Sequence, residues 1–285
     1  MNIIEIVKEF LGPITITDII ICLSGFLLFA LWLLRTSFGT RALENSSPRR
    51  NNMPLAVPFI LLIGSFGITD GAGYLSIKFF DNLPNWQLVL MNNFFTGIGA
   101  LISILLILIL AKIFFARGIK GFGLNIKTIH KDFLAAFINL LAIWPIMLVV
   151  ITLTMFFAKV VKGPDYQIQQ HEGLISITEN PVLWARIAIT VTAVIVTPFL
   201  EELLFRGLLQ TTFRSILRTK YAAWIAIAIT SILFAMMHAI PTHWPTLFVL
   251  GVCLGYSYEK SGSLYRPIFI HMIFNATSII GVLIQ

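Results

Sequence analysis

Residues 201–206 read Glu-Glu-Leu-Leu-Phe-Arg and lie inside a long apolar stretch of the chain. An ionisable side chain within a membrane span costs roughly 2.5–3.5 kcal/mol on insertion scales, so such charges are expected to be paired or functional. On a helix Glu202 and Arg206 are four residues apart and can form an ion pair, whereas Glu201 lies about 100° further round the axis. Glu201 must therefore find its partners elsewhere in the chain.

The composition decides the class of protein. Hydrophobic residues make up 58% of the 285 residues and charged residues 12%, with a mean hydropathy of +0.90. A soluble domain of this length cannot bury so much apolar side chain. Because a membrane span must satisfy its backbone hydrogen bonds internally, and no strand-like alternation is present, we predict an all-α, polytopic bundle in the lipid bilayer.

Apolar runs long enough to cross ~30 Å of hydrocarbon predict about eight transmembrane helices. The runs lie near 14–34, 55–77, 87–111, 133–160, 183–205, 222–240, 246–259 and 267–284. Glu5 and Glu9 precede the first run, which is also long, so we interpret it as a span and not as a cleaved signal peptide.

The net charge of +7 is carried largely by short connections between these runs. Basic residues follow the first, third, fifth and seventh runs: Arg35, Arg41, Arg49, Arg50; Lys112, Arg117, Lys120, Lys127, Lys131; Arg214, Arg218, Lys220; Lys260, Arg266. This alternation predicts that these connections face the cytoplasm and that both termini lie on the other side. We therefore expect no nucleic-acid partner.

Two later segments carry polar residues in apolar surroundings. His238 ends the sequence Phe-Ala-Met-Met-His, and His271 and Asn275 frame His-Met-Ile-Phe-Asn. His271 and Asn275 are four residues apart and share one helix face, which suits two groups that act on one small target. His271 follows the turn at Gly262 by about two helical turns, so we expect it ~10–15 Å below the cytoplasmic surface.

The motifs EExxxR, FxxxH and HxxxN, in this order and in apolar helices, resemble those of the CPBP family of intramembrane proteases. This family includes the CAAX prenyl endopeptidases. The segments 248–256 and 261–267 also resemble the family's link between its second and third motifs. The resemblance covers about residues 184–282. It implies a catalytic core within residues 181–285, preceded by transmembrane helices within residues 1–180.

The resemblance implies an endopeptidase that activates water with a glutamate and a histidine, in a site open towards the cytoplasm. Peptide hydrolysis needs a base for the water and donors for the developing oxyanion. The resemblance assigns Glu201 and His238 to water activation, and His271 with Asn275 to the oxyanion site. The substrate would be a protein or peptide, including membrane-bound ones, and we predict the cell membrane of a prokaryote as the location.

Several of these residues also have a structural interpretation. Taken alone, His238 is more typical of a packing histidine bonded to a carbonyl, and Asn275 of an interhelical hydrogen bond. Their occurrence together with Glu201 favours catalysis. Glu202 and Arg206 are assigned supporting roles, and an ion pair that merely fixes the helix is an equal alternative.

Two other functions stay open. A glutamate and two histidines could hold zinc with a water in the open position. The chain has no HExxH motif, and the resemblance favours a glutamate-activated water with no cofactor. The second alternative is a non-catalytic role in bacteriocin self-immunity or in scaffolding other membrane proteins, which the intact motif set disfavours.

Overall fold

The computed structural model describes residues 15–167, 169 and 171–284, so Glu5 and Glu9 lie outside the described residues. These residues are helical almost throughout. The extended backbone within them pairs only at one isolated antiparallel bridge, between Asn51 and Phe115. The all-α prediction is confirmed for the described part of the chain.

We number the helices α1 to α10 in chain order. Their bounds are α1 Ile16–Arg35, α2 Ala56–Phe80, α3 Asn85–Phe114, α4 Gly118–Phe122, α5 Ile129–Lys162, α6 Glu172–Glu179, α7 Leu183–Ile216, α8 Ala222–Met236, α9 Trp244–Ser261 and α10 Tyr265–Ile284. Each apolar run of the sequence corresponds to one of the longer helices. The first begins at a capping box, in which Thr15 and Asp18 satisfy each other's backbone N–H groups.

Six of these helices are long and apolar enough to cross a membrane: α1, α2, α3, α5, α7 and α10. The predicted count of about eight spans is not confirmed, because α8 has 15 residues and rises only ~22 Å, and α9 does not meet the same criteria. Helix α8 begins and helix α9 ends at the same end of the bundle. The sides of the membrane assigned to the other connections are therefore the same whether or not these two helices cross it.

Helix α7, which carries Glu201 and Glu202, is not a uniform α-helix. Two stretches of π-helix interrupt it, Thr192–Val196 and Leu203–Gln210. Pro198 follows the first stretch and has no N–H to donate to the preceding turn, so α-helical bonding cannot run through this point. The two carboxylates thus lie in a short α-helical segment between two changes of register, a feature common at functional sites.

Two glycines of α9 allow it to pack closely against α8. A Cβ on Gly251 would lie 2.9 Å from the Cβ of Ser231 on α8, and one on Gly255 would lie 3.1 Å from Ile227. Small residues let two backbones approach in this way. The pair therefore packs inside the bundle and allows α9 to lie against α8.

The basic connections meet at one end of the bundle, which we call the basic end. The amide of Leu264 donates to the carbonyl of Gly123, and Lys260 Nζ donates to the carbonyl of Ala42. Phe122, at the end of α4, is fully buried against Gly207, where any side chain would collide with its ring. Connections that the charge pattern assigned to one side of the membrane are thus neighbours in space.

This grouping predicts which positions are reachable from the cytoplasm. In a Cys22→Ser/Cys253→Ala background, single cysteines at the basic end should react with a membrane-impermeant thiol reagent supplied from the cytoplasmic side, because basic connections stay on that side. The reactive positions should be Arg49, Lys120 and Ser261, and the protected positions Asp165 and Thr242.

Labelling after the membrane is dissolved in detergent serves as the control that each cysteine is chemically accessible. Reaction of the cysteine at Asp165 from the cytoplasmic side of intact membranes would contradict the assigned orientation.

Candidate functional site

Glu202 and Arg206 form the predicted ion pair in the centre of the bundle. Arg206 Nη1 donates to Glu202 Oε1 at 2.8 Å, and both side chains are 0% exposed. Arg206 Nη2 also donates to the carbonyl of Gly251 at 3.3 Å, and its guanidinium lies 4.5 Å from the centroid of the Phe234 ring. One arginine therefore joins α7 to α9 and contacts α8.

His271, on α10, lies between the two carboxylates. Its Nδ1 is 3.0 Å from Glu202 Oε1, a hydrogen-bond distance, and its Nε2 is 3.8 Å from Glu201 Oε2. A carboxylate bonded to one ring nitrogen fixes the orientation of the imidazole and the tautomer that it adopts. Glu202 therefore aims the other nitrogen of His271 at Glu201.

The two adjacent glutamates differ in their surroundings. Glu202 accepts hydrogen bonds from Arg206 and His271 and is completely enclosed, whereas the side chain of Glu201 is 13% exposed. Glu201 Oε2 is buried and has no hydrogen-bond partner among the described residues; Glu202 Oε2 shares this property but lies deeper. Glu201 is thus the carboxylate with both an unused oxygen and access to a cavity or solvent.

His238 follows the end of α8 and is fixed by two hydrogen bonds. Its Nδ1 is 2.8 Å from the carbonyl of Phe234, and because a carbonyl only accepts, Nδ1 carries the proton. In the neutral ring Nε2 then holds a lone pair and can accept a proton. Trp244 Nε1 donates to the backbone carbonyl of His238 at 2.8 Å and closes the turn that follows.

The phenyl ring of Phe234 joins the two histidines. Its centroid is 5.0 Å from that of His238 and 5.5 Å from that of His271, in edge-to-face geometry. The next histidine, His243, lies in the 3-10 turn Pro241–His243. Burial lowers the pKa of His243, and the charges of His171 and His238 lower it further, which favours its neutral form.

Asn275 lies one turn beyond His271 and bonds to α7. Its Nδ2 donates to the carbonyl of Ala193 at 2.8 Å. In the π-helical stretch the amide of Thr197 donates to the carbonyl of Thr192. The next residue, Pro198, has no N–H to donate. The carbonyl of Ala193 therefore receives no backbone hydrogen bond from Thr197 or Pro198. Asn275 satisfies this carbonyl and keeps a second N–H for another acceptor.

The structure thus brings Glu201, Glu202, Arg206 and His271 into one contact network, and His238 contacts the Phe234 ring that also contacts His271. Asn275 shares the helix face of His271 but spends one donor on α7. Trp244 and the carbonyl of Gly251 are partners of the motif residues that the motifs themselves do not indicate. The prolines and glycines near the motif residues are visible in the sequence as breaks in regular structure. They do not show which donor meets a given backbone carbonyl, because tertiary packing decides that.

Within the described residues, no three His, Cys, Asp or Glu side chains are grouped so as to hold a metal ion. Both motif histidines contact the Phe234 ring, and His271 Nδ1 is bonded to Glu202. The described residues therefore do not group a glutamate with two histidines as the zinc alternative considered above requires.

The bond between Asn275 and Ala193 predicts a specific coupling. Asn275→Ala should lower the free energy of unfolding by about 1–3 kcal/mol, because it leaves a carbonyl unsatisfied inside the bundle. Pro198→Ala supplies a new backbone N–H close to that carbonyl, so the double mutant should lose less stability than the sum of the two single losses. Denaturant unfolding in detergent measures all three variants, and strictly additive losses would contradict this explanation.

Residues 183–277 match the sequence profile of the family described as "Type II CAAX prenyl endopeptidase Rce1-like". An uncharacterized 24.3 kDa protein of Escherichia coli is 36% identical over 84 residues, which cover 28% of this chain and 38% of that relative. No solved structure gives a significant match.

The matched segment contains all three motifs, and it runs from the first residue of α7 into the last turns of α10. The family implies a membrane protease that acts on a peptide or protein, and the six apolar helices agree with a multi-pass membrane protein. Residues 183–277 are thus similar to the Rce1-like family of type II CAAX prenyl endopeptidases, which supports the CPBP family that the motifs resemble.

Proposed function

We propose that this protein is a glutamic-type intramembrane endopeptidase in which Glu201 activates the attacking water. The observation that carries the proposal is the contrast between the two glutamates. Glu202 is enclosed and bonded to Arg206 and His271, whereas Glu201 has a buried, unpartnered Oε2 that lies 3.8 Å from His271 Nε2. A general base needs a free lone pair that can accept the proton of the attacking water, and Glu201 has one.

In the proposed reaction Glu201 takes a proton from water as the water oxygen attacks the carbonyl carbon of the scissile peptide. His238 accepts a hydrogen bond from the same water through Nε2, which its Nδ1 contact leaves free. The carbonyl oxygen becomes an oxyanion, and cleavage of the C–N bond returns the proton from Glu201 to the leaving nitrogen. Each proton and bond is thereby accounted for.

The oxyanion would be held by donors from α10. Asn275 retains one N–H after its bond to Ala193, and His271 in its doubly protonated form donates from Nε2. Both project from one helix face, so both can reach one oxygen. Preorganised donors of this kind need no rearrangement when the charge develops.

Glu202 and Arg206 act in this scheme as positioning residues. They touch no reacting atom, but Glu202 orients His271, and Arg206 ties α7 to α9 through the carbonyl of Gly251. Their ion pair also fixes the helix that carries Glu201, so the structural and supporting interpretations describe one interaction.

We further propose that the site opens towards the basic end, which faces the cytoplasm. His271 follows Tyr265, the first residue of α10, by six residues or ~9 Å of helix. His238 follows the 15-residue helix α8, which is too short to reach the far surface of an untilted bilayer. Both histidines would then lie within the bundle and below the basic end.

The broader setting follows from the same family. The proposed substrate is a protein or peptide, including membrane-bound ones, and nucleic acid is not an expected partner. A bacterial relative supports placement in the cell membrane of a prokaryote. We retain about eight membrane-embedded helices, with α8 and α9 as a short hairpin, and the division into helices within 1–180 and a catalytic core within 181–285.

The first functional prediction separates the two glutamates. Glu201→Gln keeps the shape of the side chain and removes the base, so turnover should fall by at least ~10²-fold while unfolding stays near that of the wild type. Glu202→Gln weakens the bonds to Arg206 and His271 and should lower stability more than turnover per folded molecule. Equal amounts of folded, detergent-purified protein should be compared on one cleavable peptide.

Glu44→Gln, an exposed position at the basic end, serves as the matched control. Near-normal turnover in Glu201→Gln together with lost turnover in Glu202→Gln would reverse the roles of the two carboxylates.

The second functional prediction tests the zinc alternative. A zinc-bound water loses its activation when the metal is removed, whereas a glutamate-activated water does not. Turnover should therefore survive prolonged treatment with strong chelators. Stoichiometric zinc in the active protein, lost together with activity and restored with it, would establish metal-dependent hydrolysis instead.

A further inference from the structure

A cavity of about 510 Å³ lies at the basic end of the bundle. Its walls come from three separate connections, within residues 45–50, 116–121 and 259–262. The charged side chains around it are Arg49, Arg50, Arg117, Lys120, Lys260 and Glu259. Five cations and one carboxylate thus surround a single space.

The single carboxylate does not neutralise this charge. Glu259 is 6% exposed; the charge of Arg49 acts on it, and Arg214, outside the cavity, lies 4.0 Å away. Two of the cations are held against the protein: Arg49 stacks 3.5 Å from the centre of the Tyr258 ring, and Lys260 donates to the carbonyl of Ala42. One carboxylate shared with Arg214 cannot compensate five cations.

The other three cations are open. Arg50, Arg117 and Lys120 are exposed, and no carboxylate of the described residues lies within 4.0 Å of any of them. Like charges that converge without a counterion repel one another. An anion bound between them would reduce this repulsion.

The walls of the cavity are well defined by backbone bonds. The amide of Ala116 donates to the carbonyl of Arg50 at 3.0 Å, and the amide of Asn52 donates to the carbonyl of Phe114 at 3.1 Å. Gly262 turns the chain with φ 72°, a left-handed conformation that favours glycine. Basic residues that only orient the protein in the membrane do not need to enclose a cavity, because charges in separate flexible connections would orient it equally well.

We propose that this cavity binds the phosphate group of an anionic ligand. Arginine matches phosphate with a planar fork of donors, and lysine adds a point charge. The basic end lies where the bilayer surface is expected, so the phosphate can belong to the headgroup of an anionic phospholipid or to a soluble phosphate compound. Along α9, Glu259 is eight residues or ~12 Å from Gly251, so the ligand would not contact Glu201.

The test titrates purified full-length protein in a neutral detergent and follows its thermal unfolding. The probes are phosphatidylglycerol, zwitterionic phosphatidylcholine as the comparison without net charge, and inorganic phosphate. The cavity variant is Arg50→Gln/Arg117→Gln/Lys120→Gln. The control variant Arg41→Gln/Lys127→Gln/Lys131→Gln removes the same charge from exposed positions that do not line the cavity.

Phosphatidylglycerol should raise the unfolding temperature of the wild type and the control, and phosphatidylcholine should not. At roughly fivefold per removed cation, the cavity variant should bind about 100-fold more weakly, and Lys120→Gln alone about fivefold more weakly. An equal response to inorganic phosphate would identify a soluble phosphate ligand, and a response to phosphatidylglycerol alone a lipid; both support the cavity. Equal responses in the cavity and control variants, or no response of the wild type to either anion, would overturn the proposal.

Discussion

The buried pair of Glu202 and Arg206 is the interaction on which the rest of the candidate site depends. Two charges that are completely enclosed must be paired and hydrogen bonded, because each would otherwise cost several kcal/mol. Both residues also form hydrogen bonds to other helices: Glu202 bonds to His271 on α10, and Arg206 donates to the carbonyl of Gly251 on α9. Satisfying one ion pair therefore brings three helices together at the level of Glu201.

Backbone irregularity provides the geometry that a regular helix could not. Pro198 and the π-helical stretch before it leave the Ala193 carbonyl without a backbone donor, and Asn275 takes that place. On the opposite side, Gly251 has no side chain to hold α8 away. Residues that weaken regular secondary structure thus fix α9 and α10 against the carboxylates. Natural proteins often break such local rules at functional sites.

Much of this arrangement was predictable from local chemistry. The spacing of Glu202 and Arg206 predicted their pair, and the charge pattern grouped connections that meet at the basic end. The contact between Glu201 and His271 was harder to predict. The order of the motifs does not say which histidine lies beside Glu201, because tertiary packing decides it. The count of about eight spans stays a prediction, because six helices are long and apolar enough to cross a membrane and α8 is apolar but short.

Catalysis by this site, as opposed to a role in self-immunity or scaffolding, is tested most directly by the protein's effect on other membrane proteins. Amino termini of membrane proteins should be compared by mass spectrometry between host cells that carry the wild type and cells that carry Glu201→Gln at equal abundance. The catalytic assignment predicts internal termini that appear with the wild type and disappear with Glu201→Gln, because only the base is lost. Identical sets of termini in the two strains, with both proteins folded in the membrane, would contradict it.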